Sequence, residues 1–162
     1  MSLDYRIRPA LFSDAEQLCQ ILESLGWFPH LDGSGFSRKG IAGQLALCLA
    51  DAGHRLLVAQ TDPGRLLGYA SLHRNPSLFL TSPEAYLAEL FVHPETRGVG
   101  VGTRLLEEAE RCAQQWGCSR MTLVNNRQRK AYRKSFFLKR GWRERENMAN
   151  FVLPLPRPAG DE

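Results

Sequence analysis

Residues 90–110 constrain the fold of this chain more than any other segment. An apolar run, Leu90-Phe91-Val92, ends at His93-Pro94, and glycines then occupy positions 98, 100 and 102. Apolar residues recur at helical spacing from Leu105 onward, until Gly117 ends the pattern. The segment therefore predicts a strand, a glycine turn and a helix in direct succession.

A turn of this kind can bind an anion. Glycines carry no Cβ, so a phosphate group can approach the main chain, and the N–H groups of the turn and of the first helical residues point toward it. The helix dipole adds a partial positive charge there, and the guanidinium groups of Arg97 and Arg104 can add full charges. We therefore expect a ligand that carries phosphate.

The glycine spacing argues against two classes of phosphate site. A P-loop requires a lysine after its last glycine, but Thr103 follows Gly102 here. A dinucleotide-binding turn requires the spacing G-x-G-x-x-G and an acidic residue about 20 residues further on. This chain has G-x-G-x-G, and its next apolar run ends in Asn125-Asn126.

The run Arg97-Gly98-Val99-Gly100-Val101-Gly102 fits the pattern [QR]-x-x-G-x-[GA], with Val92-His93-Pro94 upstream and Leu105-Leu106 downstream. It resembles motif A of the GNAT family of N-acetyltransferases, which wraps the pyrophosphate of acetyl-coenzyme A. The resemblance implies a set of cofactor-binding residues in this chain: Leu90, Phe91, Val92, Arg97, Gly98, Val99, Gly100, Val101, Gly102, Thr103, Asn126 and Phe137.

Composition is consistent with one globular domain over residues 1–155, followed by a flexible tail at 156–162. No apolar run is long enough to span a membrane, and residues 1–9 lack the apolar core of a signal peptide, so we expect a cytoplasmic protein. The four cysteines are scattered, which argues against a metal site or a disulfide framework. The net charge of +4 suits an anionic cofactor, and nucleic acid is not an expected partner.

The pattern of elements along the chain is β-α-α-β-β-β-α-β-α-β-β, which is also the order of the GNAT family. The resemblance implies an α/β (α+β) fold with a central mixed, mostly antiparallel sheet of six to seven strands, flanked by about four helices. One parallel strand pair is expected to splay at the cofactor site.

Three details of this pattern are specific predictions. Ser13 and Glu16 have the spacing of a capping box at the start of the first helix. Residues 127–140 form a basic segment that indicates one helix, and residues 142–146 and 150–155 suggest a final antiparallel strand pair.

Acetyl transfer to an amine requires a base, because an alkyl ammonium has a pKa of about 10. Glu89 is the first candidate, since it lies on the strand that enters the glycine turn, where burial would raise its pKa. A salt bridge to an arginine is the alternative role for this carboxylate. Glu84 lies further back, and His93 lies at the turn, where the motif uses its main chain.

This chain differs from the family pattern at the residue that would protonate the leaving thiolate. Relatives commonly carry tyrosine four residues before the Gly-aromatic pair, and Phe137 occupies that position here. Tyr132 or Ser135 could substitute, water could donate the proton, or the thiolate could leave unassisted. We favour departure without a dedicated acid and retain Tyr132 as the candidate side chain if one is used. Either Asn125 or Asn126 resembles the asparagine that contacts the cofactor in relatives.

The loop over residues 27–36 is rich in glycine and aromatic residues. By resemblance this loop borders the acceptor site, so Trp27, Phe28 and His30 are candidate substrate-binding residues. The resemblance implies an acetyl-coenzyme A-dependent N-acetyltransferase acting on a primary amine in a ternary complex, without metal. The alternative is a non-catalytic acyl-coenzyme A sensor, and the resemblance also allows a homodimer.

Overall fold

A computed structural model describes residues 3–28 and 38–156 of the chain. The chain divides into two compact units, residues 1–123 and 124–162. Each unit is described by itself below. The organisation as one domain over residues 1–155 stays a prediction.

The first unit contains five strands and three helices among its described residues. In chain order they are β1 (Tyr5–Pro9), α1 (Ala15–Leu25), α2 (Arg38–Ala50), β2 (His54–Thr61), β3 (Leu66–Asn75), β4 (Glu84–Val92), α3 (Val101–Gln115) and β5 (Arg120–Leu123). Short 3-10 turns precede α1 and α3.

The five strands form one sheet in the order β1-β2-β3-β4-β5. Neighbours are antiparallel from β1 to β4, and β4 pairs with β5 in parallel. Because α3 joins β4 to β5, this pair is a crossover unit of the kind that the glycine turn predicts. The mixed, mostly antiparallel sheet with four helices is confirmed, but it has five strands in the described part of the chain, fewer than the expected six to seven.

Both faces of the sheet are covered. Tyr69, Leu56 and Val58 pack in one cluster with Leu18 and Ile21 of α1. Successive side chains of a strand alternate between the two faces of a sheet. Leu57 and Leu72 therefore lie on the other face, and they are also fully buried. The buried residues of α3 recur at helical spacing and are Val101, Leu105, Leu106, Ala109, Cys112 and Ala113.

The second unit contains one short helix, α4 (Lys130–Arg133), and a 3-10 turn at Leu138–Arg140. The prediction of a single helix over residues 127–140 is therefore wrong. Ser135 has a φ of 55°, a left-handed conformation that ends a right-handed helix. The segment also concentrates like charges at helical spacing, which weakens an isolated helix.

The predicted strand pair at residues 142–146 and 150–155 is absent from the described residues of the second unit. Pro154 and Pro156 lack the N–H group that a ladder requires, so the second segment is a poor strand. Its run of apolar residues, Phe151 to Leu153, did not reveal this cost.

The predicted capping box of Ser13 and Glu16 is also wrong. The Asp14 carboxylate accepts a hydrogen bond from the Leu11 N–H group at 2.8 Å and forms a bidentate pair with Arg8 at 2.8 Å. Burial raises the pKa of Asp14, but the hydrogen bonds from Arg8 and Leu11 outweigh it, so the net pKa lies below its ordinary value. This carboxylate therefore joins β1 to the start of α1.

We predict that Asp14→Asn lowers the free energy of unfolding by about 2 kcal/mol at neutral pH, because a buried charge-assisted pair is broken. A carboxylate whose pKa is depressed on folding contributes stability above its unfolded pKa of about 3.9 and loses it as pH falls through the folded value. The stability difference between the two proteins in urea titrations should therefore shrink as pH falls through the folded pKa of Asp14. Asp4→Asn, at an exposed carboxylate, is the control; a pH-independent difference would contradict the assignment.

Candidate active site

The connection between β4 and α3 is held against β3. The His93 N–H group donates to the Leu67 carbonyl at 2.7 Å, and the buried Thr96 hydroxyl donates to the carbonyls of Leu67 and His93 at 3.3 and 3.1 Å. His93 Nδ1 accepts a hydrogen bond from the Glu95 N–H group at 3.3 Å. These bonds fix where the glycine turn begins, and they employ the His93 side chain as a cap.

The turn depends on glycine at two positions. Gly98 and Gly100 have φ values of +79° and +87°, in the left-handed region that other residues rarely adopt. A Cβ at Gly98 would meet nothing within 4 Å, so open space lies beside the main chain there. At Gly100 the nearest such atom is the Tyr5 hydroxyl oxygen, at 3.9 Å. The conformation and the open space together form a cradle that added Cβ atoms would fill.

Helix α3 begins directly after this cradle, at Val101. The first N–H groups of a helix have no intrahelical acceptor and carry the positive end of the dipole. The Val101 side chain is fully buried, so only its main chain is available to a ligand. Val99 is half exposed on the turn.

The two arginines of the turn have different surroundings. The exposed Arg97 has its Cζ atom 5.9 Å from the Trp27 ring centroid. Arg104 donates to the Tyr5 carbonyl at 3.2 Å, and its Cζ atom lies 4.6 Å from the Tyr5 ring centroid. Arg104 is thus held by β1, which leaves Arg97 as the better phosphate contact of the two.

Strand β4 extends beyond its parallel neighbour. The β4–β5 ladder covers Glu84 to Leu87 and ends there, before Leu90, Phe91 and Val92. Hydrogen-bonded and non-hydrogen-bonded pairs alternate along an antiparallel ladder, and His93 donates to Leu67. The Val92 N–H group is therefore directed away from β3, toward the side on which the parallel ladder has ended. This arrangement agrees with the predicted splay of the parallel pair.

Glu89 lies on the sheet face that packs against α1 and α2. Its Oε1 atom accepts a hydrogen bond from the Tyr69 hydroxyl at 3.2 Å, and Ser71 is its direct cross-strand neighbour. Burial raises the pKa of Glu89, and the hydrogen bonds from Tyr69 and Ser71 oppose that rise only in part. In the described part of the chain Glu89 has no arginine partner.

Glu84, the other carboxylate of β4, has a structural role instead. It pairs with Arg120 and accepts a hydrogen bond from the Thr122 hydroxyl at 3.0 Å. Both partners belong to β5, so Glu84 stabilises the parallel pair. Glu89 is therefore the candidate base on this strand, and its pKa is raised.

Aromatic side chains cluster around Phe91, which lies close to Glu89 on β4. The Phe91 ring lies 5.7 Å from that of Trp27, 5.5 Å from that of Phe28 and 5.7 Å from that of Tyr69. Phe91 follows Glu89 by two residues and so shares its face. The structure therefore brings the predicted residues Trp27 and Phe28 against Phe91, two residues along β4 from the predicted base. His30 lies outside the described residues.

The remaining predicted residues belong to the second unit. Tyr132 donates to Glu144 at 3.0 Å, and this hydrogen bond raises the pKa of the Tyr132 hydroxyl. Asn126 Oδ1 accepts from the Gln128 N–H group at 2.9 Å in a local turn. Phe137 packs against Phe136 and Trp142, with centroid distances of 5.0 and 5.6 Å. Their roles stay predictions.

Sequence reasoning missed Tyr69 and Ser71, the two partners of Glu89. They alternate with apolar residues on β3, and a hydroxyl at two alternate positions of an otherwise buried strand was the available signal. Their partner could not be named without the strand register, which brings Ser71 opposite Glu89.

The described residues contain neither a metal-binding cluster nor a membrane-spanning helix. None of their His, Cys, Asp and Glu side chains form a group of three or more that could hold a metal ion. None of the described helices combines the length and apolar character needed to cross a bilayer.

Comparison with known proteins gives a family match. The family model described as "Acetyltransferase (GNAT) family" matches residues 19–137. Comparison with curated proteins finds no significant match.

Several solved structures share the fold. A transcriptional regulator from Bacillus halodurans C-125 has 19% identity and a TM-score of 0.79, with 94% of this chain and 100% of that chain covered. The ribosomal-protein-alanine N-acetyltransferase from Brucella melitensis biovar Abortus 2308 has 18% identity and a TM-score of 0.68, with 94% and 100% covered. Glucosamine-6-phosphate N-acetyltransferase from Arabidopsis thaliana has 15% identity and a TM-score of 0.71, with 97% and 99% covered.

We predict that Gly100→Ala weakens coenzyme A binding at least about tenfold in calorimetry, because a methyl group would enter the cradle where a diphosphate approaches the main chain. The matched control is Gly117→Ala. Gly117 has a φ of +74°, lies beyond the other end of α3 and has open space around it, so alanine there introduces similar backbone strain. Equal affinities of the two variants would remove the phosphate site from this turn.

Proposed function

Since the chain belongs to the GNAT acetyltransferase family, we propose that it transfers the acetyl group of acetyl-coenzyme A to a primary amine. The amine attacks the thioester directly while both substrates are bound. The observation that carries this proposal is Glu89, a carboxylate of raised pKa on the strand that leads into the glycine cradle.

Acetyl-coenzyme A, when bound, supplies a thioester whose carbonyl carbon is the electrophile. The main chain of residues 97–103 would hold its pyrophosphate, and the open cradle at Gly98 and Gly100 supports this fit. Arg97 would add a charge-assisted contact. The main chain from Leu90 to Val92 would bind the arm of the cofactor, since this part of β4 extends beyond the ladder with β5.

Glu89 accepts a proton from the bound ammonium group, which leaves a neutral amine to attack the thioester. A base works best when its pKa lies near the operating pH, and burial moves Glu89 in that direction. The Tyr69 hydroxyl holds the carboxylate in place by its hydrogen bond. As charge develops on the carbonyl oxygen, the Val92 N–H group is the proposed donor to it, because this group is directed away from β3.

No dedicated acid is required for the departing thiolate. A thiol titrates at about 8.5, so the thiolate leaves with less assistance than an amine or alkoxide would. Tyr132 remains the alternative donor, although its hydrogen bond to Glu144 raises its pKa and so makes it a weaker acid. Water is the third source of the proton.

Trp27, Phe28 and Phe91 form the proposed apolar border of the acceptor site. The names of two similar structures denote different acceptors, a ribosomal-protein alanine and an amino sugar phosphate. A small amine, an amino acid and a protein terminus are therefore all candidates. Within the proposal the protein acts in the cytoplasm, where its four free cysteines would stay reduced, and a homodimer is compatible with it.

A non-catalytic acyl-coenzyme A sensor is the second candidate. Two observations favour it: Phe137 replaces the usual tyrosine, and one similar structure is that of a transcriptional regulator. The two functions differ in turnover, because a sensor binds the cofactor without consuming it.

The discriminating experiment combines calorimetry with a thiol-release assay over amines, amino acids and peptides with free N-termini. The enzyme predicts heat on titration with coenzyme A and release of thiol with at least one amine class. Binding without release across the whole panel would favour the sensor. Absence of binding would overturn both.

We predict that Glu89→Gln lowers kcat at least about 100-fold with the best amine, because the amide cannot accept a proton. In the parent protein kcat rises with pH as Glu89 loses its proton, and its raised pKa moves this limb above the range of an ordinary glutamate. The variant should lose that limb in a pH profile from 5 to 9. Glu107→Gln, at an exposed carboxylate of α3, is the control; an unaltered limb in Glu89→Gln would exclude this base.

A further inference from the structure

Trp27 lies between the two proposed substrate sites. The Arg97 guanidinium is positioned over its ring, with a distance of 5.9 Å from Cζ to the ring centroid. On the acceptor side the same ring contacts those of Phe91 and Phe28, at centroid distances of 5.7 and 6.1 Å. One indole therefore contacts both the candidate phosphate-binding arginine and the apolar border of the acceptor site.

The end of α1 determines where Trp27 lies. Gly26 has a φ of +69°, and its N–H group donates to the Glu23 carbonyl at 3.2 Å, which is a left-handed C-terminal cap. This cap ends the helix and turns the chain, so the next residue can fold back over the sheet. Trp27 is half-buried there, with its ring at 75° to that of Phe91. Edge-to-face packing of this kind limits the positions of the indole.

Contact with an indole leaves a guanidinium able to bind an anion. An arginine side chain stacks on a ring through its flat face, whereas its N–H groups lie along its edge. In the described part of the chain no carboxylate forms a salt bridge with Arg97, and Glu95, two residues earlier, pairs with Arg65 at 2.8 Å. Arg97 is exposed, so the indole restricts a long side chain that would otherwise sample many rotamers.

We propose that Trp27 positions Arg97 for the pyrophosphate and thereby couples the cofactor site to the acceptor site. The inference rests on the proposed function, in which Arg97 contacts the pyrophosphate of acetyl-coenzyme A. Trp27 acts on the cofactor through Arg97, so it is a positioning residue for that side chain.

The coupling acts in both directions. Because Arg97 is held against Trp27, it loses less conformational entropy when it binds a phosphate, and the cofactor binds more tightly. A bound phosphate in turn holds Arg97 and favours the position of Trp27 that borders the acceptor site. Equilibrium coupling between two sites is reciprocal, so an acceptor that packs on Trp27 strengthens cofactor binding by the same factor.

Phe91 extends this contact toward the proposed base. Its ring lies 5.7 Å from that of Tyr69, whose hydroxyl donates to Glu89 at 3.2 Å. The position of Trp27 therefore affects the aromatic packing beside the carboxylate. The side chains from Arg97 to Glu89 form a contiguous series of contacts, of the kind that can carry coupling between sites.

Two other arginine–ring contacts of the first unit have a different arrangement. Arg104 has its Cζ atom 4.6 Å from the Tyr5 ring centroid, but it also donates to the Tyr5 carbonyl, so both contacts hold it to β1. Arg55 has its Cζ atom 5.9 Å from the Trp116 ring centroid. This pair lies at the C-terminal end of α3, away from the glycine turn, and it is therefore a matched control.

A double-mutant cycle measured by calorimetry with coenzyme A tests the proposal. Trp27→Leu should weaken the affinity about threefold, the size expected for contact between a cation and an indole at an exposed site. Arg97→Gln should weaken it about tenfold. When Arg97→Gln is already present, Trp27→Leu should have no further effect, because no guanidinium remains to be positioned. Parent affinity in Trp27→Leu, or an undiminished effect of Trp27→Leu in the Arg97→Gln protein, would overturn the proposal.

Two further variants control for damage to the fold. Trp116→Leu removes an indole at the same distance from an arginine and should leave the affinity for coenzyme A unchanged. Trp27→Phe retains a ring with a weaker attraction for a cation, so its affinity should lie between those of the parent and Trp27→Leu. Equal weakening by Trp116→Leu and Trp27→Leu would indicate a general effect on the fold and would overturn the proposal.

The second test monitors Trp27 itself by fluorescence and needs no activity. The chain has three tryptophans, at positions 27, 116 and 142, so a protein carrying Trp116→Phe and Trp142→Phe retains Trp27 alone. Saturating coenzyme A should change the emission of this indole, because the bound phosphate fixes Arg97 against it. With Arg97→Gln added, saturating coenzyme A should produce a smaller change. An equal change with and without Arg97, or no change at all, would overturn the coupling.

The outcomes distinguish this inference from the proposed function. Absence of coenzyme A binding would overturn both. Binding that Trp27→Leu does not affect would overturn the inference and leave the proposed acetyl transfer standing. The expected double-mutant cycle, together with an absence of thiol release for every amine class, would overturn the enzyme and leave the coupling of Trp27 to Arg97 standing.

Discussion

The structure depends on a parallel ladder that ends early. Strands β4 and β5 pair over Glu84 to Leu87, while β4 continues to Val92 with β3 alone. Each N–H group of β4 that points away from β3 in this second half is directed toward the side without a β5 partner. The glycine turn and the N-terminus of α3 follow at once. Because the β4–β5 ladder ends at Leu87, the rest of β4 has main-chain groups available for the proposed cofactor arm. The glycine turn that follows is the proposed site of the pyrophosphate.

Polar groups on an otherwise apolar sheet face are costly unless they are paired. Here the Tyr69 hydroxyl donates to Glu89, and Ser71, the cross-strand neighbour of Glu89, is hydrogen-bonded to His54 on β2. The helices α1 and α2 that cover this face limit the access of water, which is why the pKa of Glu89 rises. The same packing that stabilises the fold therefore raises the pKa of the proposed base.

Elements with strong local signals were predicted well. The strand, glycine turn and helix predicted around residues 98–102 are confirmed as β4, the turn and α3. The helix over residues 127–140 failed, because its basic pattern did not reveal the left-handed Ser135. The capping box failed for another reason: Asp14 binds Arg8 of β1 and the Leu11 N–H group, and a long-range partner outweighed the local motif.

The sequence by itself determined the strand, glycine turn and helix of residues 90–115, because glycine is strongly favoured where φ is positive and apolar spacing indicates the buried face of a helix. It also singled out Glu89. Only the tertiary structure decided what surrounds that carboxylate. Tyr69, Ser71 and His54 lie 18 to 35 residues away along the chain, and the strand register brings them together. Register depends on the packing of the whole sheet, so no local pattern contains it.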